Sequence, residues 1–321
     1  MGERYVVVVV QKNDHSLGFY DFETGSELAR VLIPEYPHEF AVSADGRYAY
    51  TCHFGLKLAE DEGAGGNEIS VVDLHTQEFV RSISCAEWRR PHGIAFDGAG
   101  GLYVLSEGTG RLLVIPQPAT GAIVRALSTG GHGSHIVAVT RDGRLAFSSN
   151  MGSATVSILT PQEDDSHPRL LKVGERPEGS AFDAEEQRLL VCNRESAEIS
   201  VINVARQTVI GRIATPAGAV RIVRRGDASF AVACYHDQSV IVVDADCHSV
   251  TKRIPLAGKP VSIGIDPRSG LALTGLLPSG VAVVDLDQGV VVRTIATREG
   301  PDPMAVLALP FAITVAAQGA S

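Results

Sequence analysis

Apolar and polar positions alternate in short runs along this chain, and no window sustains a helical period. Runs such as "YVVVVV", "YAYTCH", "LYVLSE", "LAFSSN", "LLVCN", "FAVACY" and "LALTG" are rich in β-branched and aromatic residues. They read as strands, and the D-G, T-G and D-Q pairs between them supply turns. A second phrase is a short strand opening after a turn: "HEFAV", "HGIAF", "HIVAV", "EGSAF", "GAVRI", "VSIGI" and "DPMAV". A third is a hairpin, from "ISVVDLHTQEFVRSI" to "VAVVDLDQGVVVRTI". Each phrase occurs seven times.

The second phrase begins at residues 38, 92, 135, 178, 218, 261 and 302, which is the spacing of propeller blades. The predicted fold is all-β: a seven-bladed β-propeller of four-stranded antiparallel blades, with residues 1–321 forming a single domain. The chain starts on a second strand and reaches its last first strand at 302. The ring must therefore close by pairing N-terminal strands with the C-terminal one. A tail, "FAITVAAQGAS" (311–321), exceeds the seven-by-four count and reads as the closing strand or an added one.

Composition narrows the picture. With 45% hydrophobic residues the chain has ample core, and a net charge of −9 without a basic stripe argues against nucleic acid or an anionic membrane as partner. The start "MGERYVVVVVQKND" lacks the basic and long apolar regions of a signal peptide, and no run approaches the roughly 20 residues of a membrane span. Five cysteines without a CxxC suit reduced thiols in a cytoplasmic protein. The expected partner is a small molecule, and the expected state a monomer or weak oligomer.

The beats "DGRYAYTCH…ISVVDLHTQEFVRSI" and "RLLVCNRESAEISVINVARQTVIGRI" resemble the YVTN-repeat seven-bladed propellers over nearly the whole chain. That likeness implies fold far more than function, because propellers host hydrolases, lyases, oxygenases and scaffolds.

Within the repeat, the residue opening the innermost strand faces the central channel. The seven such positions are His38, His92, His135, Glu178, Gly218, Val261 and Asp302. Four consecutive blades thus offer His, His, His and Glu. Three imidazoles and a carboxylate suit a divalent transition ion such as Zn²⁺, Fe²⁺, Mn²⁺, Ni²⁺ or Cu²⁺. The second strands end at the same mouth in His53, Glu107, Asn150 and Asn193, with Tyr235 and His236 at the fifth end. Asn150 and Asn193 belong to the YVTN-like consensus and read as turn caps or as substrate contacts. His53 and Glu107 replace that Asn and are candidate proton-transfer groups. Asp302 reads as an outer ligand, a base or a turn residue. His132 is a shuttle or a loop residue, and Arg221 a clamp for a substrate carboxylate or half of a structural ion pair. Glu39 should point away from His38 by strand alternation. An insertion at 54–67 would lie over the mouth as a lid.

No GxSxG elbow, P-loop or dinucleotide fingerprint is present. The favoured activity is metal-dependent C–O cleavage of a lactone or ester, by hydrolysis or elimination. Gluconolactonase-type propellers and streptogramin B lyase share the general plan, although the former use Glu, Asn and Asp ligands. A metal-dependent oxygenase or isomerase, a metal carrier and an interaction scaffold are the alternatives.

Overall fold

The computed structural model describes residues 2–164, 167–226, 229–244 and 246–311. Seven antiparallel sheets are arranged around one axis, each with its first strand innermost. The blades start from Pro37–Val42, Pro91–Phe96, Ser134–Val139, Pro177–Phe182 and Ala219–Arg225, from the pair Lys259–Pro260 and Gly264–Ile265, and from Pro301–Phe311. The last of these pairs with Gly2–Gln11, with Val6 opposite Leu307 and Val8 opposite Ala305. The N-terminal strands Gly2–Gln11, Ser16–Asp21 and Glu27–Leu32 therefore complete a blade begun by the C-terminal strand. Phe311 ends that strand, and residues 312–321 of the predicted tail lie outside the described residues.

Sequence pattern follows depth in the blade. The second and third strands lie between neighbouring blades, so both faces are covered and the alternation disappears. Val6 to Val10 are all fully buried. Outer strands keep the alternation, as in Thr208–Ala214. Burial collects into seven apolar clusters among the described residues, one at each blade interface. Val8, Phe19, Ala49 and Val72 form one, and Val9, Tyr20, Leu273 and Val283 form the one that closes the ring.

One inner strand departs from its predicted continuity. It breaks between Lys259–Pro260 and Gly264–Ile265. Ser262 Oγ donates to the Asp302 carbonyl at 2.8 Å, and Thr274 Oγ1 donates to the Ser262 carbonyl at 2.6 Å, so side chains satisfy backbone groups that the interrupted ladder leaves free. Among the described residues no helix is long and apolar enough to cross a membrane.

Candidate functional site

The register of the inner strands slips where the mouth begins. Shifts fall between Pro37 and Phe40, Pro91 and Ile94, Ser134 and Ile136, Pro177 and Ser180, and Ala219 and Arg221. Such bulges re-aim side chains and break strict alternation. His38, His92, His135 and Glu178 sit inside them, all buried. The bulge also overturns the expectation for Glu39, which turns to the channel instead of away. In two blades the position after the ring residue is glycine for a plain reason. A Cβ on Gly93 would meet the His135 carbonyl at 2.6 Å, and one on Gly179 would meet Arg221 Cα at 2.7 Å.

The imidazoles lie side by side in a tilted series. Ring centroids of His38 and His92 lie 4.8 Å apart, and those of His92 and His135 lie 3.8 Å apart. Their hydrogen bonds determine the tautomers. His38 Nε2 faces the Leu56 carbonyl at 3.3 Å, and His92 Nδ1 faces the His135 carbonyl at 3.1 Å. A carbonyl only accepts, so both of those nitrogens carry the proton. His135 Nδ1 contacts Glu107 Oε2 at 2.7 Å. Burial pushes the proton affinity of His38 and His92 far below the usual imidazole range, and that of His135 to about 3. Neutral rings have one proton each. In that protonation state His38 Nδ1 and His92 Nε2, 3.0 Å apart, would face one another as two lone pairs. Two lone pairs at that distance want a cation. Ligating atoms of His92, Glu107 and His135 also lie within 4.8 Å of one another, a group that could hold a metal ion.

Glu178 occupies the predicted ring position, but its neighbours are guanidiniums. Its Oε1 accepts from Arg176 Nε at 3.3 Å and Arg194 Nη1 at 3.2 Å, and its Oε2 accepts from Arg221 Nη1 at 3.4 Å. Burial opposes its charge, yet His135, Arg221 and Arg194 together hold its carboxyl below the usual range. Arg221 reaches on across the channel to donate from Nη2 to Glu39 Oε1 at 2.6 Å. Asp302 lines the mouth with Lys12 Nζ 3.7 Å away. The cavity enclosed by these groups measures about 330 Å³.

The 54–67 insertion roofs this cavity, with Leu58, Ala59 and Glu60 in its lining. Two arginines that directly precede inner strands hold it down. Arg90 donates to the carbonyls of Ala59, Asp61 and Gly63 at 3.2, 3.1 and 2.7 Å. Arg176 donates from Nη2 to Glu60 Oε1 at 2.6 Å. Both have left-handed backbone, with φ of 55° and 53°, which turns them over the mouth.

The other candidates do not line this cavity. Glu107 lies beneath a separate cleft shared with the exposed His132, and burial raises its carboxyl above the usual range. His53 has no hydrogen-bond partner for either ring nitrogen, and Glu68 is 3.7 Å away. Asn150 is fully buried and bonded to Ser134, Ser148, Thr155 and Ser157 inside its own blade. Asn193 is likewise buried and donates to Ser200. Neither is among the cavity-lining residues, and nor is His236, which is exposed beside Glu195. Sequence reasoning missed Lys12, Arg176 and Arg194. The signal available for Arg176 was its place before Pro-Glu, the register that holds Arg90 before Pro-His.

No protein-family model matches the chain, and no curated protein matches it. Solved structures do. The structure of Pseudomonas aeruginosa periplasmic gluconolactonase, PpgL, superimposes with a TM-score of 0.78 at 16% identity, over 95% of this chain and 99% of that one. Kuenenia stuttgartiensis hydrazine synthase gives 0.69 at 16% identity, over 91% of each chain. Dihydro-heme d1 dehydrogenase NirN in complex with DHE gives 0.66 at 16% identity over 92% of this chain, which spans 64% of that chain's length. At this identity the shared property is architecture, and the chain is a seven-bladed β-propeller.

Proposed function

We propose that the mouth is the active site of a hydrolase that opens a lactone or ester C–O bond in a small organic molecule, with a divalent transition ion held by His38, His92 and His135. The observation that carries the ion is the pair of ring nitrogens, His38 Nδ1 and His92 Nε2, that face one another at 3.0 Å. Each of the three rings also has its other nitrogen held by a carbonyl or a carboxylate, as metal-ligating histidines do. Imidazole donors favour Zn²⁺, Fe²⁺, Mn²⁺, Ni²⁺ or Cu²⁺ over Ca²⁺ and Mg²⁺. Bound there, such an ion supplies Lewis acidity toward a carbonyl oxygen.

The chain's own groups do the remaining work. Glu107 accepts from His135 Nδ1 and fixes that ring's orientation. Asp302, open to the cavity, accepts the proton of the attacking water. Arg221 and Arg194 orient anionic or carbonyl oxygens of the substrate. Leu58 in the lid and Phe54, whose ring lies 4.5 Å from that of His38, keep bulk water out. A cavity near 330 Å³ suits a small ligand. The likeness to a protein titled gluconolactonase supports a lactone. Five buried free thiols support a reducing compartment such as the cytoplasm.

The test is lactone hydrolysis followed by proton release, with mass analysis of the product. Wild type should add water to the ring, lose activity on chelation and regain it with metal. His92→Ala and Asp302→Asn should be inactive with unchanged β-sheet circular dichroism. Equal turnover in wild type and both variants would end this reading, and an unsaturated product would replace hydrolysis with elimination.

A further inference from the structure

The lid sets one carboxylate into the mouth. Glu60 is separated by 116 residues from Arg176, yet its Oε1 takes the Nη2 edge of that guanidinium at 2.6 Å. Arg176 spends its Nε on Glu178, so Nη2 is the edge that the lid carboxylate covers. Next to it, Arg194 gives Nη1 to Glu178 and lies 4.7 Å over the Tyr235 ring. The Arg194 Nε is buried without a hydrogen-bond partner, and so is the Arg221 Nε. Glu195 Oε1 stands off from the Arg194 Nε at 3.6 Å. Unsatisfied buried N–H groups on a cation are costly, and a second carboxylate would satisfy them. When the lid lifts, Arg176 Nη2 also loses its anion.

We propose that Glu60 sits in the seat of a substrate carboxylate, and that the molecule taken by this mouth is an acidic one: a lactone or ester that bears a free carboxylate away from the bond to be cleaved. The substrate carboxylate displaces Glu60 from Arg176 and settles between Arg176 and Arg194, so that binding and lid opening are the same event. The inference rests on the proposed lactone or ester chemistry for its substrate class, while the seat itself is a binding claim. Leu56, whose carbonyl holds His38 Nε2, belongs to the same insertion, so the lid's position is coupled to the imidazoles.

Calorimetric titration with two probes on one six-carbon chain tests it: glucarate, with two carboxylates, and glucitol, with none. Glu60→Gln removes the internal competitor and lies on the lid, outside the blades. It should bind glucarate about two- to fivefold more tightly than wild type, the strength of a partly exposed ion pair, and glucitol unchanged. Arg176→Gln should lose the preference for glucarate. Unchanged or weaker glucarate binding by Glu60→Gln, or an equal gain for both probes, overturns the proposal. Because binding is read without turnover, an inert protein showing the glucarate shift keeps the seat and loses only the hydrolase reading. An active hydrolase without the shift loses only the seat.

Discussion

Replacing Arg221 with Met removes the cation that spans the channel from the inner strand Ala219–Arg225 to Glu39 in Pro37–Val42. Glu178 keeps Arg176 and Arg194, so the loss falls on Glu39. Breaking a buried pair from one side costs roughly 3–5 kcal/mol, because it leaves a charge without compensation. Unfolding entropy near 2.1 cal/mol/K per residue gives a chain of 321 residues about 0.7 kcal/mol/K, so Tm should fall by about 4–7 °C. The loss should depend on pH. Burial already raises the Glu39 carboxyl above its usual range against the pull of Arg221, and removing Arg221 raises it further. A carboxyl with a raised folded-state pKa binds its proton more tightly folded than unfolded. Stability then increases as pH falls through that folded pKa, and the penalty is fully felt above it. Differential scanning calorimetry at pH 8 and pH 5 should show the larger loss at pH 8. Adding Glu39→Gln should recover most of it. Equal losses at both pH values, or no recovery with Glu39→Gln, would show that the Glu39 charge is not the source of the penalty.

Arg90→Ala should free the lid by removing its three carbonyl contacts, and trypsin should then cut after the exposed Lys57 faster than in wild type, with the blades intact by mass spectrometry. Leu17→Ala empties a fully buried site in the ring-closing blade and should cost about 2–5 kcal/mol, read as a fall in Tm of several degrees. All five cysteines are buried, and burial raises the Cys52 and Cys192 thiols well above their usual range. A thiol-reactive dye should label none in the native protein and five after denaturation.

The fold was legible because blades repeat their chemistry. Strand runs of β-branched residues recur at one spacing, and a chain starting on a second strand leaves one way to close the ring, which Gly2–Gln11 against Pro301–Phe311 realises. The channel positions of His38, His92 and His135 were legible for the same reason. What they meet was not. A repeat count carries no bulge, so simple alternation sent Glu39 the wrong way. Arg176 and Arg194 lie in connections between strands, where the repeat is loosest, and they claim Glu178 with Arg221. Glu107 could be singled out because it stands where the consensus has Asn, but its pairing with the His135 ring needs the stacking of adjacent blades. The insertion's place over the mouth followed from its position between second and third strands, while its contact with Arg176 joins residues far apart in sequence.

Elemental analysis of the purified protein beside His92→Ala decides whether the channel histidines hold an ion. The wild-type chain should carry about one divalent transition ion, lost in the variant while the circular dichroism of the blades is unchanged. Equal metal content in the two proteins, or a wild-type chain that takes up no ion from Zn²⁺, Mn²⁺ or Fe²⁺ solutions, would contradict it.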